Sequence, residues 1–144
     1  MQPNGVIQRK LALLDDQVLH LQECLQGVSL ERFKDDWVLR SMAERALQVA
    51  IEIVIDVAER LVAQAGAGPA ATAAEAISKC VVLGFFSGES PYKDMVGYRN
   101  LIVHEYECID PEITYALATR KLGDFRAFRA EIDRLTANSL EKGR

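Results

Sequence analysis

The chain has 144 residues, of which 49% are hydrophobic and 26% charged, and a net charge of −4. That is the composition of an ordinary globular domain, long enough to bury a core without staples. The acidic balance excludes a global basic field, so any nucleic-acid substrate needs a local cationic site.

The residues after Pro3-Asn4-Gly5 open a first helix. Ile7, Leu11, Leu14, Val18, Leu21 and Leu25 step by four and three, the seam of an amphipathic helix. Gly27 is a stop signal, and Ser29 can cap a short turn from Leu30 to Lys34. His20 lies off the seam and reads as a surface or partly packed histidine. Asp35 or Asp36 then caps the longest segment, which runs to about Gln64 without glycine or proline. It is apolar on most sides, which calls for neighbours all round or a subunit interface. Its polar residues include a slowly winding stripe, Arg40, Glu44, Gln48, Glu52, Asp56 and Arg60. That stripe is either solvated, self-paired surface, or a place from which Glu44, Glu52 or Asp56 positions a cation at a cleft.

Ala65 to Ala71 is a flexible turn that lacks the glycine spacing and Lys-Ser/Thr of a phosphate loop. Thr72 and Glu75 form a capping box for a helix carrying Ile77, Cys80, Val81 and Leu83, weakened at Gly84 and ended at Ser87-Gly88. Ser90-Pro91 supplies a cap and a first-turn proline for a helix with Tyr92, Met95, Val96, Arg99 and Ile102. Asp110-Pro111-Glu112 repeats that signal, with Ile113, Ala116 and Leu117 as its apolar face. Beyond Gly123, Phe125, Phe128, Ile132 and Leu135 form the seam of a last helix. Arg126, Arg129, Glu131, Asp133 and Arg134 fall mostly on its wet side. Residues 137–144 show no pattern and are expected to fray. No segment alternates as a strand, so the prediction is a single all-α domain over residues 1–144, an up-and-down bundle of about five helices.

Cys24, Cys80 and Cys108 are odd in number, far apart and without zinc-site spacing. Each adjoins apolar residues, which predicts buried, reduced thiols and a cytoplasmic setting. The first residues lack signal-peptide character, and no apolar run reaches membrane-spanning length.

The candidate site is Tyr98-Arg99-Asn100-Leu101-Ile102-Val103-His104-Glu105-Tyr106. His104 is one of two histidines in the chain, so acid–base chemistry near neutral pH leans on it. Five residues turn an ideal helix by about 500°, which leaves Arg99 and His104 roughly 140° apart. Asn100 and His104, four apart, share a face. Arg99 joins them through its own reach, through a helix ending near His104, or across a two-fold axis that pairs two copies of the motif. An arginine suits a phosphodiester, and a histidine can take a proton from a 2′-hydroxyl and give one to a leaving 5′-oxygen. The pair therefore suffices for RNA cleavage without a metal, and no serine or cysteine nucleophile competes for His104. On the residues alone, a structural Arg…His pair and a rim or core Tyr106 stay open.

Tyr98 to Asp110 closely resembles the signature of HepT-like HEPN-domain proteins: arginine, four residues, histidine, one residue, tyrosine. Similarity extends to Arg45–Glu52 and to the Phe125/Phe128 helix, and so covers nearly the whole chain. The resemblance implies the toxin of a two-gene toxin–antitoxin module, a homodimer or larger oligomer that cuts RNA without metal or cofactor. It implies that Arg99 binds and polarises phosphate, His104 is the general acid and base, and Asn100 orients or binds. It also implies a minimal nucleotidyltransferase antitoxin that transfers AMP to Tyr106, placing bulky negative charge beside the cleft. Two other readings remain: a non-catalytic helical module that holds a nucleotide or a nucleotidyltransferase, and a purely structural bundle.

Overall fold

The computed structural model describes residues 5–142, with side chains through Asn138. Met1–Asn4, within the segment read as lacking signal-peptide character, and the last two residues of the tail lie outside that range. The described chain is all-α and has more pieces than the five expected. Helices α1 (Gly5–Leu25), α2 (Leu30–Asp35), α3 (Trp37–Gln64), α4 (Ala73–Val82), α5 (Tyr92–His104), α6 (Pro111–Ala118) and α7 (Gly123–Lys142) are joined by turns, with a 3₁₀ turn at Tyr106–Cys108. None is long and apolar enough to cross a membrane.

The six seam residues of α1 are its buried residues. Asp36 caps α3, its carboxylate accepting from the Val38 and Leu39 amides at 3.0 and 3.1 Å, which satisfies two orphan donors of the first turn. Helix α3 is the axis of the bundle and packs against α1, α2, α4, α5 and α6. Between Ala50 and Val62 every residue is buried except Glu52, Asp56, Glu59 and Arg60. The polar line is thus narrow enough to leave the rest of the circumference to neighbours.

Several local expectations are revised. Thr72 accepts from the Glu75 amide, but Glu75 reaches back to the amide of Ala71, one residue beyond the reciprocal capping-box bond. Helix α4 ends at Val82, and Gly84 makes the turn with φ of 79°, a conformation that only glycine adopts without strain. Gly84 therefore ends the helix that it was expected only to weaken. Ser90 does not cap α5; Pro91 occupies the cap position and no side-chain cap bond forms. In α6 the buried residues are Thr114, Leu117 and Ala118, while Ile113 is exposed, so the inner face is rotated from the one expected. Helix α7 runs through Lys142, well into the segment expected to fray. Of the three free thiols only Cys80 is buried, and Cys24 and Cys108 are exposed. Burial pushes the Cys80 thiol up to about 12.

Glu131, expected on the wet side of α7, is buried. Its carboxylate accepts from the Ser87 amide at 2.9 Å and from the Tyr92 hydroxyl, so an inward charge is offset by local donors. Burial pushes the Tyr92 phenol far above its ordinary value, and the Glu131 contact adds to this. Beside that clamp, Phe86, Tyr92 and Phe128 form an aromatic cluster with ring centroids 4.4 to 6.0 Å apart. It ties the start of α5 to α7. Replacing Phe128, which is fully buried, with alanine is expected to lower unfolding free energy by about 3–5 kcal/mol, measured by urea denaturation.

Candidate functional site

The Tyr98–Tyr106 stretch occupies the last two turns of α5 and the beginning of the 3₁₀ turn. Helix α5 ends at His104 because Glu105 leaves helical geometry, with φ of −142° and ψ of 46°. With no side-chain cap at its start, α5 is held by burial of Tyr92, Met95, Val96 and Tyr98. The Tyr98 hydroxyl and Thr114 Oγ1 of α6 share a 2.8 Å hydrogen bond in the interior. Burial pushes the Tyr98 phenol well above its ordinary value; the Thr114 bond opposes this and the Glu44 charge reinforces it. The bond fixes the rotation of α5 one residue before Arg99.

That rotation sends Arg99 inward. Its Nη1 lies 3.3 Å from Glu52 Oε1 on α3, and its side chain is 21% exposed. Its Nε is buried without a hydrogen-bond partner. Asn100 and His104 are both exposed, as their four-residue spacing on the outer face requires. Among the described residues the His104 side chain has no hydrogen-bond or ion-pair partner. Tyr106 follows two residues later and is 69% exposed. Asn100, His104 and Tyr106 therefore gather around the C-terminal end of α5. Arg99 turns toward Glu52 of α3 and makes no hydrogen bond with His104 of the same chain. Of the three routes open to the motif, the helix end near His104 is present.

The acids of the α3 stripe separate into different roles. Glu52 alone reaches Arg99. Asp56 is held by Lys10 Nζ at 2.8 Å and Arg60 Nε at 3.0 Å. Burial raises its carboxyl, but those two hydrogen bonds outweigh the effect and hold it below the usual carboxylate range. Glu44 makes no ion pair among the described residues, and burial lifts its carboxyl against the pull of Arg40. Glu52 and Asp56 also line a shallow depression of about 440 Å³ with Lys10, Arg45 and Arg60. The Glu52 contact and the Tyr98–Thr114 clamp are the site features that the motif does not spell out. For Glu52 the usable signal is the four-residue polar stripe on an otherwise apolar helix. For Thr114 there is none.

The arrangement offers a permanently charged guanidinium, in contact with one carboxylate, and an exposed imidazole. An all-α chain with this pair at the end of a helix docked on a long apolar axis agrees with the helical-bundle ribonucleases that the motif resembles, and comparison with known proteins supplies that class. A family model described as ribonuclease HepT-like matches residues 14–132, and the chain belongs to that family. The matched span includes all of α3 and the whole Tyr98–Tyr106 stretch. The tRNA nuclease HepT of Aphanizomenon flos-aquae is 24% identical over 133 residues, which cover 89% of this chain and 88% of that one. A chain in the structure of the tri-AMPylated Shewanella oneidensis HEPN toxin in complex with MNT antitoxin aligns with a TM-score of 0.84 at 25% identity, covering 92% of this chain and 99% of that one. A chain in a mutant MntA–HpeT toxin–antitoxin structure aligns with a TM-score of 0.81 at 26% identity, covering 91% and 99%.

Replacing Tyr98 with phenylalanine leaves the buried Thr114 hydroxyl without this partner and is expected to cost about 1–3 kcal/mol. Combining it with Thr114→Val removes both polar ends and should recover part of that loss, read from the two unfolding curves.

Proposed function

We propose that this chain is the toxin of a toxin–antitoxin pair and acts in the cytoplasm as a metal-independent endoribonuclease. In this reading it works as a homodimer, with Arg99 and His104 of both protomers facing one cleft. The observation that carries the reading is the end of α5, where an exposed His104 without partners follows an anchored Arg99 in a chain of the ribonuclease HepT-like family. The inward turn of Arg99 and the exposure of His104 favour assembly of the site from two copies, because no hydrogen bond links the two within one chain.

The chemistry balances without an added cofactor. Arg99 binds the scissile phosphate and neutralises charge on its non-bridging oxygens. His104 takes the proton of the 2′-hydroxyl as the 2′-oxygen attacks phosphorus. The bond from phosphorus to the 5′-oxygen breaks, and that oxygen is protonated by an imidazolium. The products are a 2′,3′-cyclic phosphate and a free 5′-hydroxyl. Asn100, on the His104 face, orients the ribose or phosphate. The chain is acidic overall, so affinity rests on local cations at the cleft. Similarity to a protein named tRNA nuclease HepT supports tRNA as the first substrate to try.

Tyr106 is the proposed place of neutralisation. A minimal nucleotidyltransferase antitoxin would transfer AMP to its hydroxyl with release of pyrophosphate. The 69% exposure of Tyr106 supports access by a second protein. Similarity to a chain from the tri-AMPylated toxin complex supports the modification. A phosphate-bearing adduct next to His104 repels the RNA backbone and fills space that it needs.

The purified chain is expected to cut tRNA in the presence of EDTA, with products ending in cyclic phosphate. Arg99→Ala and His104→Ala should each lower the rate by about 10²-fold or more while remaining folded. Equal cutting by those variants would sink the assignment, and stable antitoxin binding with no RNA breakdown would favour the non-catalytic module. Co-expression with the nucleotidyltransferase is expected to add one or more adenylyl groups, seen by intact mass and mapped to Tyr106. Tyr106→Phe should then stay unmodified and toxic.

A further inference from the structure

Arg99 has one polar side-chain partner among the described residues, Glu52, and it comes from a different helix. The contact joins Nη1 to Oε1 at 3.3 Å, while Nε is buried and makes no hydrogen bond. The guanidinium is therefore divided: one nitrogen is committed to α3, and the inner donor is uncommitted. A guanidinium on a long, flexible stem binds phosphate well only if its plane is already set, because ordering it during binding costs side-chain entropy. Glu52 sits on a rigid base for that task. Its neighbours Ile51 and Ile53 are buried in the core, and α3 packs against α5 directly.

The other charged groups nearby do not serve Arg99. Asp56 is occupied by Lys10 and Arg60, and Glu44 lies under the opposing pull of Arg40. We propose that Glu52 is the positioning residue of the site: its carboxylate holds the Arg99 guanidinium in the plane that receives the scissile phosphate. Glu52 touches no reacting atom and acts through Arg99 alone. This deepens the ribonuclease reading and rests on it.

The role is geometric, so an acceptor at Oε1 matters more than its charge. Glutamine retains that acceptor, and alanine removes it. The test measures cleavage of unfractionated bacterial tRNA by wild type, Glu52→Gln, Glu52→Ala and Arg99→Ala, with kcat and KM separated. Thermal unfolding checks that each variant is folded. Glu52→Ala is expected to lower kcat at least tenfold with KM changed less than threefold. Glu52→Gln should keep kcat within about threefold of wild type. A second readout does not involve RNA. The Arg99 Nε–H resonance, assigned by its loss in Arg99→Lys, should be sharp in wild type and Glu52→Gln and broadened in Glu52→Ala.

Cleavage by Glu52→Ala within twofold of wild type overturns the proposal, as does a glutamine variant as impaired as the alanine one. An Arg99 signal that stays sharp in Glu52→Ala overturns it too. If wild type fails to cut tRNA, the ribonuclease reading itself fails. The resonance comparison then still shows whether Glu52 orders Arg99.

Discussion

Everything in this fold depends on the burial of α3. A 28-residue helix that is apolar around most of its circumference has no stable existence in water by itself. It forces α1, α2, α4, α5 and α6 to gather round it, and the cluster of buried side chains that results extends from Ile7 to Ile132. Each large aliphatic side chain removed from water there contributes roughly 1.5–3 kcal/mol. The same burial leaves α3 only a thin polar line, and Glu52 on that line is what meets Arg99.

The site sits where this buried order gives out. Helix α5 is pinned at its start by the aromatic cluster around Tyr92 and near its middle by the Tyr98–Thr114 bond. Past Arg99 it loses cover, and by His104 it has ended. A histidine at the last position of this helix is exposed, while an arginine five residues earlier is still close enough to the core to be held. That gradient from packed to exposed, over less than two turns, separates an anchored cation from an exposed imidazole, the two groups to which the proposed function gives different tasks.

Electrostatics sharpen the division. An acidic chain does not collect RNA by its overall field. On the α3 face Lys10 and Arg60 are both bound to Asp56, while Arg45 reaches only Gln48. Arg99 differs in having a buried donor, its Nε, that makes no hydrogen bond among the described residues. That uncommitted donor is why the proposed function concentrates on this arginine.

Much of this was legible in the amino-acid sequence. The seam of α1, the Asp36 cap, the length of α3 and the proline-led start of α6 follow from periodicity and capping chemistry, which act within a few residues and need no distant partner. The Arg99–His104–Tyr106 spacing is equally local, and it carries the resemblance that the family model over residues 14–132 bears out. Other features were decided only by the tertiary structure. Glu131 is buried because Ser87 and Tyr92 supply donors from distant parts of the chain. Ile113 is exposed because Tyr98 captures Thr114 and sets the rotation of α6. Cys24 and Cys108 are exposed because apolar neighbours in sequence say little about which side of a helix faces the core. Glu52 was one of three acids on a stripe, and the choice among them turned on the packing of α3 against α5. A one-dimensional pattern reports which face of a helix is polar, and only the docking of two helices decides which polar side chain meets which.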